Sequence, residues 1–261
     1  MPFESTREAV MPSSTIRTER RDAVQIVTLD RPGRRNAVDG PAAEALGRAI
    51  AAAERDKGVR AIVLTGAGGT FCAGNDLKAM AAGDFPTPAE DGPPPMNVTR
   101  APASKPVVAA VEGYCFGGGF ELALWCDLRV ASTTAEFGAL NLNHGLPCMD
   151  AGTVRLPRVV GQARALDILL TARRVPAAEA LAIGLVTRLV EPGEALPEAV
   201  RLAAAIAALP APALDAVRRS VTEQWSLPEP DAARNETRLA LALLAGADAG
   251  QPAPPPSAAS S

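Results

Sequence analysis

The chain has 261 residues, of which 48% are hydrophobic and 21% charged; this is enough apolar material for one large domain and excludes global disorder. Its formal net charge of −3 argues against a general binder of nucleic acids or anionic membranes. The four cysteines have no CxxC spacing and His144 is the one histidine, so we expect no metal site and no histidine-based catalytic triad.

Strands and helices alternate along the first half of the chain. Residues 1–14 are polar and contain prolines, and we expect them to be flexible. Beyond them, short runs of apolar residues predict strands, and apolar positions three and four residues apart predict helices. The predicted strands are 24–29, 59–65, 107–111 and 128–131, and the predicted helices are 41–55 and 120–126. Such alternation is typical of an α/β fold.

The second half is mainly helical. Residues 83–95 are rich in proline and glycine, which predicts a long loop of the functional or disordered kind. From Gly161 onward the predicted helices are 163–170, 176–182, 196–208, 212–223 and 231–244, with one strand at 185–190. The last helices are apolar on more than one face, so we expect them to pack against a neighbouring subunit.

These features predict four segments. They are a flexible N-terminus (1–14), an α/β core (15–195), a C-terminal helical region (196–249) and a disordered Pro/Ala/Ser tail (250–261). No stretch has the roughly 18 uninterrupted apolar residues of a membrane span, and the N-terminus lacks the apolar core of a signal peptide. We therefore expect a cytoplasmic protein without a membrane or nucleic-acid partner.

Two glycine-rich junctions each connect an apolar strand to a helix. The first is Phe71–Leu77 (FCAGNDL) and the second is Gly113–Leu122 (GYCFGGGFEL). Glycine lets the backbone approach a ligand closely, and the N–H groups of a first helical turn favour negative charge. The GxxxxGK[ST] phosphate loop and the GxGxxG dinucleotide fingerprint are both absent. The junctions predict an anion site of unspecified kind, with tight backbone packing as the alternative.

Three segments resemble the crotonase (enoyl-CoA hydratase/isomerase) superfamily. They are FCAGNDL, KPVVAAVEGYCFGGGFELALWCDLRVAS and RRNAV at residues 34–38, and the similarity extends from about Val24 to Val190. The resemblance implies a spiral of repeated ββα units with a C-terminal helical region that forms trimers, often paired into hexamers. It also implies an acyl-CoA substrate, with coenzyme A as part of that substrate and no other cofactor.

The resemblance also implies roles for individual residues. Asn75 and Gly118 match the two backbone N–H donors that hold the thioester carbonyl. The positions that match contacts to coenzyme A are Arg35, Ala37, Ala73, Gly74, Asp76 and Leu77. Removing a proton next to a thioester creates an enolate oxygen, and one such donor contributes about 2.7–4 kcal/mol to stabilising an oxyanion.

The acid and base residues depart from the family pattern. Glu121 matches the first of two glutamates found in similar hydratases, with an interaction with the helix dipole as its alternative role. Asn141 stands at the position of the second glutamate, and an amide cannot titrate. Asp150 is the nearest replacement, and the alternative for this residue is a helix N-cap.

Three functions remain open from the sequence. The first is an acyl-CoA lyase or isomerase with an enolate intermediate. The second is a hydrolase of the same superfamily that cleaves a carbon–carbon bond in a β-diketone, for which His144 and Asp150 would be suited. The third is a non-catalytic trimer that binds coenzyme A.

Overall fold

The computed structural model describes residues 15–84 and 89–247. The N-terminus predicted to be flexible and the predicted tail at 250–261 lie outside these residues, as does the 85–88 part of the proline-rich loop. The remainder of that loop, 83–84 and 89–95, contains no helix or strand, as predicted. The described residues fall into two compact units, 15–204 and 205–247. The four segments predicted from the sequence remain a prediction.

A six-stranded sheet forms the centre of the first unit, in the order β1-β2-β3-β4-β6-β9. Only β1 is antiparallel to its neighbour, and the other strands run parallel. The inner strands are continuous apolar runs because both of their faces are buried. A second sheet has the order β5-β7-β8. The strands are β1 Ile16–Arg21, β2 Val24–Leu29, β3 Ala61–Gly66, β4 Val107–Val111, β5 Tyr114–Phe116, β6 Leu128–Ser132, β7 Glu136–Gly138, β8 Val175–Pro176 and β9 Arg188–Val190.

Helices follow pairs of strands in this unit, which gives the repeated ββα order β1-β2-α1, β4-β5-α3 and β6-β7-α4. The first helix shows how the local sequence specifies the start: the Asp39 carboxylate accepts a hydrogen bond from Ala42 N, and proline occupies the first turn. The helices are α1 Gly40–Arg55, α2 Leu77–Ala81, α3 Gly118–Trp125, α4 Gly152–Val160, α5 Gln162–Thr171, α6 Ala177–Ala182, α7 Ala195–Ala207, α8 Ala211–Glu223 and α9 Glu229–Ala247.

The predicted strand at 185–190 is too long. The structure has a strand only over Arg188–Val190. Leu185 and Val186 are buried and apolar, but they belong to the turn after α6, where Val186 N donates to Ala180 O. Strand β1 was missed because five of its six side chains are exposed, so it lacks the apolar alternation that predicts a strand.

The second unit contains α8 and α9, which pack against each other around the buried Leu239. Several large apolar side chains of these helices are exposed, among them Val217, Leu241 and Leu244. Over the described residues no single helix is both long and apolar enough to cross a membrane; the bent pair Ala195–Ala207 with Ala211–Ser226 meets that criterion only when its helices are taken together.

Candidate active site

The two glycine-rich junctions lie directly against each other. Cys72 N donates to Tyr114 O at 3.0 Å, and Phe116 N donates to Cys72 O at 2.9 Å. A side chain at Gly119 could not be accommodated, because its Cβ would lie 2.4 Å from Cys72 O. The glycines therefore allow two segments that are distant in the sequence to meet as bare backbone.

The meeting point brings Asn75 and Gly118 together. Gly118 is the first residue of α3, so its N–H has no partner within that helix. Gly74 adopts a positive φ of 103°, and a Cβ there would lie 3.2 Å from Gly118 N. Within the described part of the chain, neither Asn75 N–H nor Gly118 N–H has a hydrogen-bond acceptor. Two unpaired backbone donors thus occupy the junction that the sequence predicted as an anion site.

Glu121 projects from the first turn of α3 and is 1% exposed. Its Oε1 accepts hydrogen bonds from Asp150 N at 2.9 Å and Gly152 N at 2.8 Å. Burial, followed by the negative charge of Asp150, raises the pKa of Glu121 from 4.5 to about 7, although the backbone N–H groups act in the opposite direction. The Cys148 thiol lies beside the same carboxylate. Glu121 can therefore exchange a proton near neutral pH.

Asp150 is equally buried, at 1% exposed. Its Oδ1 accepts hydrogen bonds from Met96 N at 2.9 Å and from the Thr99 hydroxyl at 2.5 Å, whereas its Oδ2 is buried without a partner. Burial raises the pKa of Asp150, and the bonds from Thr99 and Met96 partly offset that rise. The carboxylate is held through one oxygen, and the other is left without a hydrogen bond.

The alternative that Asp150 caps a helix is wrong. The N-cap position of α4 is Ala151, which has a left-handed backbone with φ 66°, and the helix has no side-chain cap. Asp150 instead bonds across to the segment that contains Met96 and Thr99. Its own carbonyl accepts a hydrogen bond from Arg155 Nη1 at 3.0 Å, and the Thr99 carbonyl accepts one from Nη2 at 2.6 Å.

Met96, Thr99 and Arg155 were not identified from the sequence. Met96 is fully buried, and its Cε lies 2.3 Å from where a Cβ on Gly118 would be. The segment that holds Asp150 therefore also packs against the predicted donor site. No signal in the sequence indicates this, since Met96 and Asp150 are 54 residues apart and neither belongs to a recognisable motif.

Of the six predicted coenzyme A contacts, Arg35 and Leu77 are exposed, Ala73 is half-buried and Gly74 is buried. Ala73 N donates to Arg35 O at 3.0 Å, and Leu77 is 43% exposed at the start of α2. The exposed Arg35 guanidinium lies 5.5 Å from the centroid of the Tyr114 ring. Gly74 lies between Ala73 and Asn75 with its backbone buried. Its carbonyl accepts a hydrogen bond from Val38 N at 2.9 Å.

Asp76 and Ala37 have structural partners. The Asp76 carboxylate is buried and accepts hydrogen bonds from Lys78 N at 3.2 Å and Ala79 N at 3.3 Å, which makes it the N-cap of α2. Arg31 bonds to the same carboxylate at 3.4 Å and also donates to the Ala37 carbonyl. This capping role of Asp76 was missed from the sequence, and a contact from these two residues to coenzyme A remains a prediction.

Asn141 lies in a 3-10 helix, Leu140–His144, beside the second junction. Its Nδ2 donates to Pro147 O at 3.3 Å, and its Oδ1 is buried without a partner, 3.6 Å from where a Cβ on Gly117 would be. His144 is exposed. Among residues 15–84 and 89–247, no hydrogen bond or ion pair joins its side chain to Asp150, and the β-diketone hydrolase remains an untested alternative from the sequence.

Comparison with known proteins identifies the family. Residues 19–250 match the family described as Enoyl-CoA hydratase/isomerase. The chain belongs to this family. As an enoyl-CoA hydratase/isomerase family member, it is 37% identical over 236 residues to enoyl-CoA hydratase EchA19 of Mycobacterium tuberculosis, with 88% of this chain and 89% of that protein covered.

Other members of the enoyl-CoA hydratase/isomerase family give a consistent result. Carnitinyl-CoA dehydratase of Salmonella arizonae is 40% identical over 194 residues, which are 73% of this chain and 74% of that protein. The crystal structure of enoyl-CoA hydratase EchA1 from Mycobacterium marinum superposes with a TM-score of 0.84 at 36% identity, covering 90% of this chain and 92% of that one. The predicted crotonase superfamily and α/β fold are confirmed.

Among the described residues, no group of three or more His, Cys, Asp or Glu side chains could hold a metal ion.

Proposed function

We propose that this protein is a lyase or isomerase that acts on an acyl-CoA thioester through an enolate. In this proposal, the N–H groups of Asn75 and Gly118 hold the thioester oxygen as negative charge develops on it. The observation that carries the proposal is the meeting of these two unpaired donors next to two buried carboxylates. The names of the relatives agree, since they include enoyl-CoA hydratases and a carnitinyl-CoA dehydratase.

Glu121 and Asp150 are the proposed acid and base. Each carboxylate is fixed by two hydrogen bonds to one oxygen, Oε1 of Glu121 and Oδ1 of Asp150. Asp150 Oδ2 has no hydrogen-bond partner, and we propose that the substrate meets the pair of carboxylates there. Because the pKa of Glu121 is about 7, both of its protonation states are populated at neutral pH, which suits a group that first removes a proton and then returns one.

Asn141 narrows the proposed reaction. Hydration requires one group to activate water and another to deliver a proton, and the amide at this position cannot do either by titrating. We therefore propose slow hydration of a simple enoyl-CoA such as crotonyl-CoA. The native reaction relies on Glu121 and Asp150 instead. The proposed site for coenzyme A is the surface around the exposed Arg35 and Leu77, together with Ala37, Ala73, Gly74 and Asp76, and the reaction requires no further cofactor.

We also propose a homotrimer or a hexamer made of two trimers. The support is the set of exposed apolar side chains on α8 and α9, where Leu241 and Leu244 are each 60% exposed. Burying such side chains against another copy of the chain would remove them from water. The cytoplasmic location expected from the sequence remains a prediction.

The test is proton exchange at the α-carbon, which requires enolate formation but no knowledge of the native acyl group. Butyryl-CoA is incubated with the protein in D₂O, and loss of the α-proton signal is followed by NMR. We expect exchange in the wild type and a loss of about 10²–10⁴-fold in Glu121→Gln. Glu44→Gln is the matched control, because Glu44 is exposed on α1. Equal exchange in wild type and Glu121→Gln would refute the role of Glu121, and no exchange in the wild type despite binding would refute the enolate mechanism.

A further inference from the structure

The proline-rich loop ends in a turn that is fastened to helix α1. Asn97 N donates to Pro94 O at 2.7 Å, and Asn97 has a left-handed backbone with φ 63°. Its Nδ2 donates to Ala43 O on α1 at 3.0 Å. A Cβ on Gly47 would lie 2.5 Å from that nitrogen, so the glycine leaves room for the asparagine amide. The turn therefore has a defined position on the core.

This turn directs two donors at a single oxygen of Asp150. Met96 N lies 2.9 Å and the Thr99 hydroxyl 2.5 Å from Oδ1, and Thr99 is fully buried. The hydroxyl is the donor, since an ionised carboxylate offers only acceptors. Among the described residues, Oδ2 of the same carboxylate has no hydrogen-bond partner. The bond from Thr99 therefore constrains how the carboxylate rotates about its Cβ–Cγ bond.

Arg155 on α4 holds the backbone of both residues. Its Nη1 donates to Asp150 O at 3.0 Å, and its Nη2 donates to Thr99 O at 2.6 Å. A guanidinium group is planar and rigid, so the two carbonyl groups are kept at a fixed separation. The two segments are thus joined independently of the Thr99 hydroxyl, whose bond acts on the carboxylate.

We propose that Thr99 is a positioning residue for the reaction, whose hydroxyl orients the Asp150 carboxylate so that Oδ2 meets the substrate. This rests on the proposed function, since it requires Asp150 to transfer a proton. Without the hydroxyl, the Met96 N–H alone holds Oδ1, and a single hydrogen bond leaves the carboxylate free to turn. Efficient proton transfer requires the reacting groups to be held in a productive geometry. Thr99 acts on turnover through Asp150 and does not contact the substrate.

The test measures the saturating rate of α-proton exchange of butyryl-CoA in D₂O, together with butyryl-CoA binding by calorimetry. The test variant is Thr99→Val, which removes the hydroxyl at nearly constant shape, with Thr99→Ala as a second variant if the valine protein does not fold. Thr99→Ser retains the hydroxyl and is the rescue variant. The matched control is Thr18→Val, because Thr18 is exposed on strand β1. Thr99→Val is also made in the Asp150→Asn protein, which completes a double-mutant cycle.

We expect Thr99→Val to lower the saturating exchange rate about tenfold or more while the affinity for butyryl-CoA stays the same. Thr99→Ser should recover most of that loss, and the control should exchange like the wild type. In the Asp150→Asn protein, Thr99→Val should cause no further loss, because no charged carboxylate remains to be oriented.

A Thr99→Val rate equal to that of the wild type would overturn this inference alone. The same loss in both members of the cycle would also overturn it, since an additive effect indicates a purely structural role for Thr99. A wild-type protein that binds butyryl-CoA but does not exchange its α-proton would overturn the proposed function as well.

Discussion

The substitution Asp150→Asn separates the charge of Asp150 from its structural contacts. Asparagine retains an oxygen that can accept the hydrogen bonds from Met96 N and the Thr99 hydroxyl. What it removes is the negative charge that, after burial, is the largest cause of the raised pKa of Glu121. We estimate the effect at about one pKa unit, or about 1.4 kcal/mol, because burial remains and the opposing backbone hydrogen bonds remain.

The assay is the pH dependence of α-proton exchange. A base must be ionised, so the wild-type rate should rise as the pH passes through about 7, the pKa of Glu121. In Asp150→Asn the midpoint should move to lower pH by about one unit. The plateau should also fall, by about 10²-fold, if Asp150 takes part in proton transfer. Asp167→Asn is the control, because Asp167 is an exposed partner of Arg173.

The negative charge of Asp150 should also make the stability of the folded protein depend on pH. Because the pKa of Glu121 is raised in the folded state, its contribution to stability is full below the unfolded pKa near 4.5 and is lost as the pH rises through about 7. Asp150→Asn should reduce that loss, so its Tm should fall less than the wild-type Tm between pH 5 and 8. A midpoint that does not move would refute the electrostatic coupling, and an unchanged plateau would refute a proton-transfer role for Asp150.

Three further outcomes follow from the site and the proposed assembly. Gly118→Pro removes the donor at a first helical position, where the fixed φ of proline is compatible with the helix, and should lower exchange about 10²–10³-fold. Gly118→Ala places the same Cβ against Met96 Cε but retains the N–H, so equal exchange in the two variants would exclude Gly118 as a donor. Asn141→Glu should raise crotonyl-CoA hydration, followed by loss of the enoyl absorbance, and an unchanged rate would contradict the account of that position. Sedimentation velocity should give a trimer or hexamer. A stable monomer at micromolar concentration would contradict the proposed assembly.

Local patterns in the sequence were enough to predict most of the fold. The strands at Val24–Leu29 and Val107–Val111 match their predicted bounds, because buried strands are short segments made mostly of apolar residues. Helix α1 begins one residue before its predicted start. The two glycine-rich junctions were recognisable because bare backbone at the start of a helix requires glycine.

Local sequence patterns could not show that Asp150 pairs with Glu121. Asp150 precedes a helix, so local reasoning offered a capping role, whereas its side chain bonds to residues 51 and 54 positions away. Asp76, by contrast, does cap its helix. Asp76 is the N-cap residue itself, whereas Asp150 lies one residue before the N-cap of α4 and its side chain turns to a distant segment.

The sequence by itself determined the family, the alternation of strands and helices, and the glycine backbone that can approach a thioester. The tertiary structure decided what surrounds each charge. Glu121 has a pKa near 7 because folding buries it and places Asp150 beside it from 29 residues away. Burial and charge proximity depend on contacts between distant segments, and residue spacing along the chain does not encode them.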